Sequence, residues 1–250
     1  MATRTFPSAS RATPVQASRS RGPNVDDLAQ VHWLSRLDAE ERDRAVADMR
    51  VLIVQPGELV CRVGRPVTYW FGVVDGLLKM SNDSAAEDGT GIPITFTGVS
   101  SGGWFGEGTV LKGEAYRYNI QALRKSVVAG IPAATFHWLL DRSIGFNRFV
   151  MNQLNERLGQ FIAAREIDRL THPDERVARS LAALFHPVLY PGVGDMLRIT
   201  QQELGYLVGL GRQRVNEALA ALQAAGVIRV EYGGVRVLDL DRLRRYRTAA

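Results

Sequence analysis

A single cysteine, Cys61, stands in 250 residues. No intrachain disulfide can form, and an iron–sulfur cluster or zinc site built from four thiolates is excluded within one chain. Cys61 reads as a small strand residue, and a reduced cytoplasmic setting fits. No apolar run approaches the ~18 residues needed to span a bilayer. Histidine is scarce: His32, His137, His172 and His186 are the only four, none in a haem or metal signature context, so each reads as a helix-face or loop residue. Catalytic strings are also missing. No P-loop, His-Glu-x-x-His or nucleophile elbow is read, and Gly209-Leu210-Gly211 lacks both the third glycine and the preceding strand of a dinucleotide fingerprint. Neither an enzyme nor a cofactor is expected.

What is present is unevenly distributed. The formal charge is +5. Residues 1–26 hold four basic residues against one acidic, residues 27–170 hold 16 against 17, and residues 171–250 hold 11 against 8. The excess sits at the two ends, where it suits a polyanion partner. Residues 1–26 are rich in Ser, Ala, Pro, Thr and Arg, lack the apolar stretch of a secretory signal, and read as a disordered extension.

From residue 27 the pattern is helical, with Asp38 as a cap. From Val51 to Pro132, short β-rich runs alternate with Gly, Pro and Asp breaks, and 81–91 is polar and hairpin-like. Many short strands with turns between them predict a small antiparallel barrel or jelly roll. Helix resumes over 133–141 and from Phe146 to about Leu170. There Met151, Leu154, Leu158 and Phe161 recur at 3-4-3 spacing. That stripe predicts a dimer seam; the plainer alternative is a helix docked on its own barrel.

The most informative stretch begins at Thr200. Thr200-Gln201-Gln202-Glu203 spells a capping box. Gly209-Leu210-Gly211 is a tight turn, a second helix opens at Arg212, and Gly226 offers its left-handed C-terminal stop. Two β runs follow, with Gly233-Gly234 as the hairpin signal. Helix, turn, helix, hairpin is the order of a winged helix-turn-helix. At 100° per residue, Val215, Ala218, Leu219 and Leu222 share one face of the second helix. Arg212, Gln213, Asn216 and Glu217 fall on the other. Arg forks onto guanine, while Gln and Asn can pair with adenine. Thr200 and Gln201 are placed for phosphate, and Arg229 and Arg236 on the wing are further phosphate candidates.

These residues resemble the Crp/Fnr superfamily, that of the cyclic-AMP receptor protein and the fumarate–nitrate regulator. The likeness covers roughly residues 27–248. It is carried by Ile199–Gly205, Val208-Gly209 and Arg212-Gln213-Arg214-Val215-Asn216 in the last domain, and by Asp174–Ala178 after the hinge. Gly57-Glu58, Gly64, Gly76 and Phe105-Gly106-Glu107 carry it in the β-rich part. The resemblance implies an α+β chain: a β-roll of the cyclic-nucleotide-binding type over 27–142, a dimerisation helix over 143–170 and a winged helix-turn-helix over 171–250. It implies a homodimer on near-palindromic double-stranded DNA, with RNA polymerase as a partner and a possible small-molecule effector. In members that bind cyclic nucleotide, Gly-Glu opens a phosphate cassette, here Gly106-Glu107, and an Arg follows eleven residues after the Gly, here Arg117. The next residue is Tyr118 rather than Ser or Thr. Phe161 and Ile162 align with a Thr-Ser pair through which some members contact adenine. An unpaired purine edge there would lose roughly 1–3 kcal/mol per group, so an effector other than cyclic AMP, or none, is expected. Arg117 is left with two readings: it meets an anion or it pairs with Glu107. In the reading helix, Arg212 keeps the family's guanine-reading place. Gly211, Gln213 and Glu217 depart from its best-known pattern, which predicts a different half-site. Arg214 is carried over as a further DNA contact.

Overall fold

The computed structural model describes residues 20–82 and 94–248. Most of the extension, residues 1–19, and most of the polar 81–91 segment thus lie outside the described residues. In chain order the strands are β1 (Ser20–Arg21), β2 (Arg50–Val54), β3 (Leu59–Cys61), β4 (Tyr69–Asp75), β5 (Leu77–Asn82), β6 (Ile94–Ser100), β7 (Trp104–Phe105), β8 (Asn119–Ala122), β9 (Ser126–Pro132), β10 (Met196–Leu197), β11 (Ile228–Glu231) and β12 (Gly234–Val237). The helices are α1 (Val25–Ala29), α2 (Ala39–Asp48), α3 (Glu107–Lys112), α4 (Ala133–Arg142), α5 (Ile144–Ile167), α6 (Pro173–Ala183), α7 (Gln201–Val208), α8 (Arg212–Ala224) and α9 (Leu240–Arg244).

Two antiparallel sheets, ordered β1-β2-β9-β4-β7 and β3-β8-β5-β6, form the β-roll. The expected boundary of the N-terminal extension needs correction. Ser20 and Arg21 pair with Leu52 and Val51, and Arg21 donates to the buried Asp27 carboxylate. Residues 20–26 therefore belong to the β-roll domain. An aromatic cluster lies at the heart of that domain. The ring centroids of Trp33, Trp70 and Trp104 lie 4.3–5.4 Å apart, with Phe136 and Phe146 edge-on to Trp70. Such tilted and edge-on packing satisfies the ring quadrupoles while burying large apolar area. Cys61 is buried in β3, and burial pushes its thiol up to about 12, so it stays protonated and inert.

The string Gly98-Val99-Ser100-Ser101-Gly102 does spell Gly-x-Ser-x-Gly, against the expectation that no elbow is present. Ser100 is buried at the end of β6, and the turn after it leads to β7 rather than into a helix. The strand-to-helix elbow that would expose a nucleophile is therefore absent at this string.

Helix α5 has two apolar faces. Phe146 and Val150 are buried against the β-roll, and Leu154 and Phe161 are half-buried there. Ile144, Met151, Leu158 and Ile162 are 71%, 61%, 61% and 57% exposed. Of the four residues predicted to form a seam, Met151 and Leu158 point outward, whereas Leu154 and Phe161 turn toward the β-roll; Ile162 is exposed beside the first two. The helix docks on its own barrel along one face and leaves an apolar stripe outward on the other.

The last domain packs α6, α7 and α8 around Val177, Leu181, Leu204, Val215, Leu219 and Leu222. Its sheet is ordered β10-β12-β11, and Glu231 pairs with Gly234. The wing's turn is therefore Tyr232-Gly233, one residue earlier than expected, with Gly233 at φ +78°.

Candidate nucleic-acid interface and effector pocket

The helix-turn-helix forms for local reasons. Thr200 caps α7: its Oγ1 accepts from the Glu203 N–H at 3.1 Å, and Glu203 Oε2 accepts from the Thr200 N–H at 2.7 Å. Gly209 ends α7 at φ +68°. A Cβ on Gly205 would stand 2.7 Å from the Leu210 carbonyl oxygen, so the tight turn requires a glycine there. Val215, Ala218, Leu219 and Leu222 are the buried residues of α8, matching the face read from the sequence.

Opposite that face, Arg212, Gln213, Asn216 and Glu217 are exposed at the start of α8, with exposed Thr200 and half-buried Gln201 beside them. Gln201 Nε2 donates to Asn216 Oδ1 at 2.7 Å, Arg212 Nε to Gln201 Oε1 at 3.4 Å, and Gln213 Nε2 to Glu217 Oε1 at 3.5 Å. All three are exposed surface bonds. Arg212 and Gln201 also border a groove of about 440 Å³ whose far wall is the wing at Val230, Gly233 and Gly234.

Two arginines are placed otherwise. Arg214 donates at 2.5 Å to Asp174 of α6, whose side chain is 12% exposed, and at 3.2 Å to Glu217. It fastens α8 to α6 instead of facing outward. Arg236 is tied to Glu231 and Asp195, and those carboxylates raise its pKa. Its charge is already answered within the wing, whereas Arg229 is exposed.

The expected effector residues assemble only in part. Gly106, at φ +84°, opens α3, and Glu107 is buried behind it. A cavity of about 250 Å³ is lined by Met80, Glu107, Thr109, Arg117, Tyr118, Leu154, Arg157 and Phe161. Burial, with Glu107 next in effect, raises the Tyr118 pKa and keeps that phenol neutral. Phe161 stands edge-on to Phe96, their centroids 6.2 Å apart. Ile162 does not line the cavity; it belongs to the exposed stripe. Arg117 does not pair with Glu107. Its side chain is 72% exposed and donates to Glu114 at 2.7 Å.

Glu107 instead faces Arg157, with Oε1 and Nε 3.7 Å apart, and that Oε1 accepts no hydrogen bond. Arg157 is buried, yet nearby Tyr190 and Glu107 outweigh desolvation and raise its pKa, so it remains charged. Nothing in the sequence signalled this pair. Gln153, Arg157 and Gln160 repeat at helical spacing on a buried face, where periodicity expects apolar residues.

Two family models match the chain in the order of these two sites: a cyclic nucleotide-binding domain over residues 51–143 and a Crp-like helix-turn-helix domain over residues 175–246. Fold and family matches together define a transcription regulator with a DNA-binding helix-turn-helix and a domain of the cyclic-nucleotide-binding type. Transcriptional regulator LdrP of Thermus thermophilus is 32% identical over 155 residues, which are 61% of this chain and 75% of that protein. Transcriptional activator protein Anr of Pseudomonas aeruginosa is 25% identical over 209 residues, 81% of each chain. FixK2 from Bradyrhizobium japonicum shares the fold at a TM-score of 0.62 and 18% identity, over 80% of this chain and 98% of that one. The chain belongs to the Crp/Fnr family of transcription regulators. Among the described residues, no helix is long and apolar enough to cross a membrane.

Proposed function

We propose that two copies of this chain pair along α5 and bind a near-palindromic operator in double-stranded DNA. Each lays the start of α8 in a major groove, with the two reading helices about 34 Å apart. The observation that carries this reading is the outward polar edge formed by Arg212, Gln213, Asn216 and Glu217, with Thr200 and Gln201 at its rim. Arg212, Gln213 and Asn216 would read bases. Thr200, Gln201 and Arg229 would meet phosphate. Arg214 would act by holding α8 in place. RNA polymerase is the further partner that this reading implies. A gel shift on genomic fragments tests it: binding should select particular fragments and weaken by roughly 10³-fold between about 50 and 200 mM salt. Equal binding to every fragment would refute a sequence-specific regulator.

The cavity lined by Glu107, Arg117, Tyr118 and Phe161 supports a small effector. Cyclic AMP fits poorly, because Phe161 offers no hydroxyl, Ile162 faces outward and Arg117 is held by Glu114. About 1 mM cyclic AMP should leave the melting temperature unchanged, because a ligand stabilises only in proportion to its occupancy of the folded state. A rise saturating at micromolar concentration would overturn this.

A further inference from the structure

The loop between α6 and β10 carries Tyr190, a completely buried side chain. Its hydroxyl donates to the Gly98 carbonyl oxygen of β6 at 2.8 Å. It accepts from Arg157 at 3.1 Å and from Gln160 at 3.0 Å. One donor and two acceptor sites are all that a phenol has, so this hydroxyl is fully used. Its partners come from two other parts of the chain, the sensor sheet and the central helix. Arg157 also donates to the Trp104 carbonyl oxygen at 2.7 Å.

The loop itself is fitted closely. A Cβ on Gly103 would stand 2.7 Å from the Tyr190 ring, and one on Gly102 would stand 2.5 Å from the Gly192 nitrogen. His186 Nδ1 accepts from the Val188 and Leu189 N–H groups at 3.3 and 3.2 Å, bracing the turn that leads to Tyr190. The head is fastened to the sensor a second time by the Arg124–Glu203 ion pair at 2.9 Å. None of this covers the reading edge: Arg212, Gln213 and Glu217 stay exposed.

We propose that Tyr190 is the positioning residue that fixes the DNA-reading head to the sensor and to α5. The angle between each α8 and the pairing stripe is then set inside the chain, with no added ligand needed to set it. This rests on the reading of the protein as a dimer on two half-sites. A fixed angle makes affinity depend steeply on half-site spacing, because both heads must meet their grooves without reorienting.

The test uses the full chain without added ligand and an operator selected in vitro from random DNA. A second operator has its half-sites moved apart by two base pairs. Tyr190→Phe keeps the ring and removes only the hydroxyl. Gln160→Met removes one donor to that hydroxyl, and with it the acceptor of one Arg157 Nη1 bond, at similar volume, and serves if Tyr190→Phe does not fold. We expect wild-type protein to prefer the parent spacing by about 100-fold, and the variants by only about tenfold, through weaker binding to the parent operator. Amide exchange over residues 186–199 should quicken while the melting temperature moves by only a few degrees. An unchanged spacing preference in folded variants would overturn the proposal, as would equal weakening on both operators. Failure of the wild-type protein to bind any selected operator would instead sink the DNA-binding reading on which it stands.

Discussion

Leu158→Glu is expected to split the protein into monomers at micromolar concentration and to weaken operator binding by at least about 100-fold, because two heads then no longer bind as one unit. Leu158 sits midway along the outward stripe of α5 and is 61% exposed in the single chain. Ile144, Met151 and Leu158 follow one another at seven-residue spacing, as do Asn155 and Ile162. That is the repeat of a left-handed helix pair, with Asn155 as the kind of polar residue that fixes register. Across a two-fold axis the two introduced carboxylates would face each other, and burying each costs several kcal/mol. The sensor core should be spared, since Leu158 is not part of it. Sedimentation velocity and a melting curve on the same sample check both statements. A variant that stays dimeric and still binds the operator normally would remove α5 as the pairing surface.

Arg212→Ala should cost about 1–3 kcal/mol on the best operator and relax the preference at one base pair. The guanidinium is exposed, and its bond to Gln201 is long at 3.4 Å, so little holds it back from a guanine. Arg214→Ala should behave differently. Losing the bond to Asp174 loosens α8 from α6, so the melting temperature should fall and binding should weaken on every sequence alike. Affinities measured on a set of single-base operator variants separate the two patterns. An Arg212→Ala profile that drops evenly across the set would make Arg212 a phosphate contact.

How far the sequence could be read depended on how local each signal was. The capping box at Thr200, the stop at Gly226 and the inward face of α8 are decided within a few residues, and all three are found in the fold. The α5 stripe was only half legible. Apolar residues lie on two faces of that helix, and spacing alone cannot say which face meets the chain's own sensor. Arg117 lines the cavity, as the family resemblance implied, but its carboxylate partner depends on the α3–β8 turn, where Glu114 is nearer than Glu107. The Arg157 and Tyr190 contacts escaped altogether, because each joins residues at least thirty positions apart. A loop tyrosine carries no pattern that marks it as buried. The β1 strand was hidden for a similar reason: two residues paired across the chain leave no periodicity.

The indole cluster around Trp70 has a practical consequence. All four tryptophans lie between positions 33 and 138, and residues 171–250 contain none. Their emission therefore follows the melting of the N-terminal half alone, whereas far-ultraviolet dichroism follows both halves. In a urea titration, the separation between those two curves would gauge how strongly the halves unfold as one cooperative unit.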